Sequence, residues 1–143
     1  MKKLIAVAAL MALTLTLATA AEWGTDLPKA QAQAKKENKL VLLDFTGSDW
    51  CGWCIKLKQE VFDTAEFKAY AAKNLVLVEV DFPRSKPQSA ELKKANKALQ
   101  EKYKIQGYPT IIVLNGDGKQ VGELGYMKGG PKPFIAELAK LKK

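Results

Sequence analysis

The chain contains two cysteines, Cys51 and Cys54, and their spacing is the feature most able to carry chemistry. Two thiols this close can close into a disulfide and reopen, because a thiolate attacks a disulfide through a mixed-disulfide intermediate. As a structural crosslink the pair would do little, because the stabilising effect of a disulfide grows with the loop that it closes. The spacing therefore predicts a redox-active dithiol, with an inert disulfide or half of a zinc site as the alternatives.

The absence of histidine narrows these alternatives. None of the 143 residues is His, which excludes His-based triads, His general bases and imidazole ligands. A tetrahedral zinc site needs further thiolate or imidazole ligands, and the chain has only the two cysteines. We therefore expect no metal, and no cofactor other than the Cys51–Cys54 disulfide itself.

The segments around the pair predict different roles for the two thiols. Residues 40–45 form an apolar run interrupted only by Asp44, which is typical of a strand buried on both faces. Turn residues follow at 46–49, and a helical pattern begins at Cys51. A helix N-terminus favours an anion, so Cys51 is predicted to be an exposed nucleophilic thiolate. Cys54, one turn deeper, is predicted to be the shielded resolving thiol.

Periodicity along the rest of the chain predicts the order α-β-α-β-α-β-β-α. The predicted helices are 29–37, 51–70 with a break at Asp63-Thr64 and a second piece over 65–72, 90–103 and 133–141, and the predicted strands are 40–45, 75–81, 110–114 and 120–124. Helical crossovers place the early strands parallel, and the turn at 115–118 adds an antiparallel hairpin at one edge. We expect an α/β fold in which helices cover both faces of a mixed four- to five-stranded sheet.

The first twenty residues have the pattern of a secretory signal peptide. A basic start at Lys2 and Lys3 precedes an apolar run over 4–18, and Ala18-Thr19-Ala20 offers a small-residue cleavage site. We predict cleavage after Ala20, or after Ala21, which leaves a single domain over 21–143. An uncleaved anchor is the alternative, although the run is short for a bilayer span. The protein is thus predicted to be periplasmic or secreted, where disulfides persist.

The charge of the chain is basic but carries no sign of a nucleic-acid partner. The formal net charge of +8 falls to +6 when Lys2 and Lys3 are removed with the signal. Arg84 is the only arginine, and the lysines are mixed with acids over several predicted helices. Because nucleic-acid recognition relies on arginine for bidentate contacts, we interpret the lysines as a solvated surface. No feature predicts an oligomer, and we expect a monomer.

Two segments carry a resemblance to a known family. "VLLDFTGSDWCGWCIKLKQEVF" resembles the active-site strand and helix of the thioredoxin superfamily, and "IQGYPTIIVLNGDGKQVGEL" resembles its later strand pair. The resemblance extends from about Lys39 to Leu141, and the first half is similar to the C-terminal periplasmic domains of DsbD-type interchange proteins. It implies a thioredoxin fold, thiol–disulfide oxidoreductase activity, protein disulfides as substrates, and a membrane or soluble thiol donor.

The resemblance also implies roles for residues outside the cysteine pair. It implies a cis peptide before Pro109 and pairing of the Tyr108 backbone with bound substrate. Asp44 matches the buried carboxylate of the family, whose raised pKa would let it take the Cys54 proton through a water molecule. A solvated aspartate at a strand edge is the alternative for Asp44. Gly122 matches a glycine near the substrate groove, with a β-bulge as the alternative.

The dipeptide between the cysteines departs from the thioredoxin pattern. It is Gly52-Trp53 rather than Gly-Pro, and the reduction potential in the superfamily is sensitive to this dipeptide. Trp50 matches the tryptophan that packs beside the site, and Trp53 is predicted to be an exposed aromatic surface for a partner. The predicted substrate-binding residues are Trp50, Gly52, Trp53, Tyr108 and Pro109.

Two further departures lie near the predicted proton acceptor. Asp44 precedes Cys51 by one residue more than in thioredoxin, and Leu77 stands where thioredoxin has a lysine beside the buried aspartate. The sequence leaves the direction of electron flow open. Reduction is the first hypothesis, disulfide oxidation or isomerisation is the second, and a redox-regulated adaptor or chaperone without turnover is a third.

Overall fold

This computed structural model describes residues 19–142, which fold into strands and helices. The strands are β1 (Trp23–Gly24), β2 (Leu40–Thr46), β3 (Leu75–Asp81), β4 (Thr110–Leu114) and β5 (Gln120–Leu124), and the helices are α1 (Leu27–Glu37), α2 (Gly52–Leu57), α3 (Ala65–Asn74), α4 (Ala90–Lys102) and α5 (Pro131–Leu141), with a π-helical turn (Lys58–Phe62) after α2. The predicted signal peptide lies outside the described residues except for its last two positions. Within those residues, no helix combines the length and apolarity that crossing a membrane requires.

The strands form one mixed sheet in the order β1-β3-β2-β4-β5, which confirms the predicted fold class. β2 and β3 are parallel, whereas β4 is antiparallel to β2. The prediction that helical crossovers make all the early strands parallel was therefore wrong for β4. Thr46 pairs with Asp81, and Phe45 pairs with Thr110. β3 thus ends, and β4 begins, at the same end of the sheet, because α4 and its loops return the chain to the end that it left.

A short edge strand was missed by the sequence analysis. β1 pairs in parallel with Leu77 and Val78, in a segment that we interpreted as a lead-in. Two residues are too few for a periodicity to show. The centroid of the Trp23 ring lies 5.1 Å from that of Phe62, which belongs to the π-helical turn. This contact between aromatic rings holds the short strand in place.

The sheet separates two apolar clusters. Even-numbered residues of β2 face α2, α3 and α5, and odd-numbered residues up to Phe45 face α1 and α4, because successive side chains of a strand point to opposite faces. We call these the α2 face and the α1 face. A strand with a helix layer on each side has no polar face, which accounts for the continuous apolar run over 40–45.

The ends of the helices agree closely with the sequence predictions. The Asp26 side chain caps α1 by accepting from the Lys29 N–H, and Asn38 ends that helix in the left-handed conformation. The predicted break after the active-site helix is confirmed, since Thr64 caps α3. The π-helical turn before α3 was not predicted. It is defined by the Asp63 N–H, which donates to the Lys58 carbonyl five residues earlier at 2.8 Å. α1 and α5 each begin two residues earlier than predicted.

Candidate active site

The two cysteines lie at the N-terminal end of α2 and are joined by a disulfide. Cys51 is the N-cap residue of the helix, and the Cys54 N–H lies 3.2 Å from Cys51 Sγ. An N–H of the first helical turn thus points at the sulfur that becomes a thiolate when the bond is reduced. This arrangement favours the anionic form of Cys51 and confirms its predicted position at the start of the helix.

The predicted difference in exposure between the two cysteines is not present in the disulfide form. Cys51 is 7% exposed and Cys54 is 5% exposed. The prediction of an exposed Cys51 was therefore wrong for this state. The physical reason is that the Cys51 sulfur is turned onto the helix terminus, where it is bonded to Cys54. A difference in reactivity in the reduced protein stays a prediction.

Asp44 is a buried carboxyl group on the α2 face of β2. It is 8% exposed, and within residues 19–142 its Oδ1 atom has no hydrogen-bond partner. Burial, followed by the negative charges of Glu79 and Asp81, raises the pKa of Asp44 to about 8. The alternative of a solvated strand-edge aspartate was wrong, and the expected raised pKa is confirmed.

Glu79 is the residue directly across from Asp44 in the neighbouring strand, and the sequence analysis missed it. Residues 75, 77, 79 and 81 alternate onto one face of β3, so the strand pattern contained the signal that could have found it. Leu77 is buried on that face, in the apolar part of the core. Glu79 is half-buried, and burial followed by the Asp81 charge raises its pKa.

The turn before the cysteines is held by hydrogen bonds to the loop after β3. The Asp49 carboxylate accepts from the backbone N–H groups of Arg84, Ser85 and Lys86 at 3.0, 2.6 and 3.1 Å. These hydrogen bonds lower the pKa of Asp49. The additional residue between Asp44 and the cysteines therefore lies in an ordered turn, fixed by a carboxylate that the sequence analysis did not single out.

Trp50 is fixed to the same loop from the other side. Its indole Nε1–H donates to the Phe82 carbonyl at 2.7 Å, and the Arg84 guanidinium carbon lies 4.0 Å from its ring centroid. The Trp50 and Tyr108 rings meet edge to face with centroids 5.8 Å apart. Trp50 thus links the cysteine loop to the Tyr108–Pro109 segment, as its predicted place beside the site requires.

The peptide bond between Tyr108 and Pro109 is cis, as the family resemblance implied. On its other side this segment adjoins Gly125, where a Cβ would lie 3.8 Å from the Pro109 carbonyl oxygen. Gly122 lies in β5 against the end of α5, and its place near a substrate groove stays a prediction. It follows a register shift between β4 and β5, as the alternative of a β-bulge predicted, and a Cβ there would collide with the Leu141 side chain.

The rim of the site is an aromatic and charged surface centred on Trp53. Trp53 is 55% exposed, as predicted, and its ring lies 4.9 Å from that of Tyr126. Lys56 Nζ lies 5.3 and 5.4 Å from the two ring centroids, and the Tyr126 hydroxyl donates to Glu60 at 2.6 Å. Gly52 is exposed, and within residues 19–142 a Cβ at this position would lie more than 4 Å from every atom beyond its own stretch of chain. Tyr126 lies on a distant loop, so no local pattern could have shown its contact with Trp53.

The strand order, with a cysteine pair that closes at a helix start next to a cis-proline loop, is the arrangement of the thioredoxin-class thiol–disulfide oxidoreductases. A family model described as "Thioredoxin-like domain" matches residues 27–142, and the chain belongs to this family. The match begins earlier than the resemblance seen in the sequence, because it includes α1.

Named relatives support the same class. The chain is 36% identical over 110 residues to "Disulfide bond reductase DsbH" of Chlamydia pneumoniae, covering 77% of this chain and 66% of that protein. It is 32% identical over 117 residues to "Thiol:disulfide interchange protein DsbD" of Vibrio cholerae, covering 80% of this chain and 18% of that protein. The chain thus spans about two thirds of the first relative and much less of the longer one.

Solved structures give the same fold. A structure titled "DsbH Oxidoreductase" matches with a TM-score of 0.81 and 31% identity, covering 96% of this chain and 94% of that one. The oxidised C-terminal domain of Neisseria meningitidis DsbD matches with a TM-score of 0.61 and 22% identity, covering 83% of this chain and 98% of that one. The second likeness shows the fold alone.

Proposed function

We propose that the protein reduces disulfides in exported proteins through the Cys51–Cys54 couple. The observation that carries this proposal is the Cys54 N–H directed at Cys51 Sγ, because it stabilises the thiolate that must attack the substrate. The direction of the reaction is supported by the relative named as a disulfide bond reductase.

The reaction proceeds by two exchanges at sulfur. The Cys51 thiolate attacks one sulfur of the substrate disulfide, and the other substrate sulfur leaves as a thiolate that takes a proton from water. The Cys54 thiolate then attacks Cys51 Sγ, which closes the protein disulfide and releases the second substrate sulfur as a thiolate that takes a proton from water. The protein loses two electrons and the substrate gains two, and a thiol donor restores the dithiol.

Asp44 is the group that we assign to accept the Cys54 proton. It lies on the α2 face, in the strand that leads into the cysteine turn. Cys54 and Leu57 are the buried residues of α2, three positions apart, and Leu57 packs in the apolar cluster on this face. A carboxyl group with a pKa near the working pH is suited to take a proton and return it. The proton transfer precedes the attack of Cys54 on Cys51.

The substrate is proposed to lie across Trp50, Gly52 and Trp53 and to pair with the backbone at Tyr108 and Pro109. Exposed aromatic surface at Trp53 suits an extended or unfolded polypeptide. We propose protein disulfides as substrates, a membrane or soluble thiol donor as the electron source, no cofactor beyond the disulfide, and a monomer as the working state.

The site of action is proposed to be outside the cytoplasm. Residues 1–20 would direct export and be removed after Ala20, which leaves residues 21–143 as one thioredoxin-like domain. An oxidising compartment supplies the disulfides on which such a protein works.

Insulin reduction by dithiothreitol tests the proposal. The wild-type protein should accelerate precipitation of the insulin B chain, and a variant with both Cys51→Ser and Cys54→Ser should give the uncatalysed rate. Refolding of a scrambled disulfide substrate is the companion assay. Strong refolding without insulin reduction would favour isomerisation, and retained partner binding by an inactive wild type would favour the adaptor.

A further inference from the structure

The buried acid of the site has a charged neighbour that the proposed mechanism does not use. Asp44 and Glu79 are direct partners in the parallel pairing of β2 and β3. Paired strands lie about 4.8 Å apart, and both side chains point to the α2 face. The two carboxyl groups therefore share one small volume at the end of the sheet that leads into the cysteine turn.

The third carboxyl group on this face, that of Asp81, differs from the other two because it is engaged in hydrogen bonds. Asp81 accepts hydrogen bonds from the Ser48 backbone N–H at 2.9 Å and from the Ser48 hydroxyl. Within residues 19–142, no hydrogen bond engages the Glu79 carboxyl group. Glu79 is also half-buried rather than fully buried, so its carboxyl group can exchange a proton with solvent.

We propose that Glu79 is a positioning residue that forms a coupled carboxyl pair with Asp44 and sets the pH range in which Asp44 takes the Cys54 proton. The inference rests on the proposed role of Asp44. A negative Glu79 disfavours a second negative charge beside it, so Asp44 holds its proton to higher pH than burial alone would require. The two groups then titrate as a pair.

The other charges around the pair act in both directions. Asp81 adds negative charge from β3, whereas Lys58 of the π-helical turn and Lys86 of the loop after β3 add positive charge near Glu79. The Lys58 ammonium is also bound to Asp63 at 2.7 Å, which reduces its effect on Glu79. Cys54, buried on α2, is bonded to Cys51 in this structure and can carry a charge only in the reduced protein.

The test compares Glu79→Gln with Glu79→Asp and with Glu123→Gln. Glu123 is an exposed residue of β5, so its change removes the same charge away from the site. The first readout is the titration of the Asp44 carboxyl carbon by NMR in the oxidised protein. The second is the pH profile of insulin reduction.

In Glu79→Gln the Asp44 midpoint should fall by roughly one pH unit, and the pH profile should move down with it. Glu79→Asp should keep a midpoint close to that of the wild type, as should Glu123→Gln. An unchanged midpoint in Glu79→Gln would overturn the coupled pair. A different outcome is that the midpoint falls in Glu79→Gln while the pH profile of insulin reduction stays the same in both Asp44→Asn and Glu79→Gln. That result would instead refute the proposed role of Asp44.

Discussion

The two ends of the α2 face differ in kind although the same strands build both. At one end, Leu40 and Leu42 of β2 lie beside Leu75 and Leu77 of β3 in an apolar cluster. At the other end, the same alternation presents Asp44 and Thr46 beside Glu79 and Asp81. We call these the apolar half and the acidic half. One strand pair thus changes from hydrocarbon to carboxyl groups within two residues, at the end that leads to the cysteines.

The difference separates what stabilises the fold from what the chemistry requires. The apolar half is covered by a triad of phenylalanines, Phe62, Phe67 and Phe134, with ring centroids 5.0 to 6.2 Å apart. Burial of these rings stabilises the protein at any pH. The acidic half contains a buried carboxyl group, and one of its oxygens has no hydrogen-bond partner among residues 19–142, so the group costs stability whenever it is charged.

The largest expected effect lies in the cysteine pair above the acidic half. Cys54→Ala should trap a mixed disulfide between Cys51 and a substrate peptide, because the resolving thiol is missing. Cys51→Ala should trap none, because the thiolate at the helix N-terminus is missing. Intact mass spectrometry after exposure to a peptide disulfide measures both variants. Equal trapping by the two would remove the distinction between nucleophile and resolving thiol.

The apolar half should respond to truncation in stability alone. Phe67→Ala deletes a fully buried ring and should lower the free energy of unfolding by about 3–5 kcal/mol. The fraction that remains folded should keep its insulin reductase activity per molecule. Urea unfolding with a parallel activity assay makes the comparison. A large fall in activity per folded molecule would show that the two halves are not separable.

Asp44→Asn should stabilise the oxidised protein by an amount that grows with pH. Because the pKa of Asp44 is raised to about 8 in the folded protein, its contribution to wild-type stability is complete below about pH 4 and is lost as the pH rises through 8. Asparagine is neutral throughout. The gain should increase by about 4 kcal/mol between pH 5 and pH 9.

Urea unfolding of oxidised wild-type protein and Asp44→Asn at the two pH values checks this. An equal stability difference at pH 5 and pH 9 would mean that Asp44 titrates normally, and the acidic half would lose its special character. Asp117→Asn, an exposed change on the β4–β5 turn, is the matched control and should show no such pH dependence.

The smallest expected effect lies on the rim. Trp53→Ala should raise the KM for a polypeptide disulfide a few-fold and leave kcat nearly unchanged, because the exposed ring contributes to binding rather than to proton or sulfur transfer. Trp53→Phe should restore most of the affinity. Steady-state insulin reduction measures both. A fall in kcat without a change in KM would place Trp53 in the chemistry instead of the binding surface.

The acidic half was only partly predictable from the sequence. Asp44 could be recognised because it interrupts an apolar run, and its burial follows from that run. Glu79 could have been recognised by alternation along β3, but its pairing with Asp44 depends on a strand register that the sequence does not display. The contact of Tyr126 with Trp53 joins segments far apart in the chain, and no local pattern encodes it.

In the fold, the elements with strong periodicity were predicted and the exceptions have physical causes. β1 is two residues long, and the π-helical turn adds one residue to a helix without changing its composition. The antiparallel direction of β4 depends on how α4 and the loop that ends at the cis Tyr108–Pro109 bond return the chain. Each of these depends on tertiary packing rather than on local sequence.

The reduction potential of the Cys51–Cys54 couple tests the central claim most directly. Residues 21–143 would be equilibrated in dithiothreitol and glutathione buffers, and free thiols would be counted by mass spectrometry after alkylation. A reductase should give a value near that of thioredoxin, about −270 mV. A value near −120 mV, typical of a strong oxidant, would contradict the account and indicate a disulfide donor.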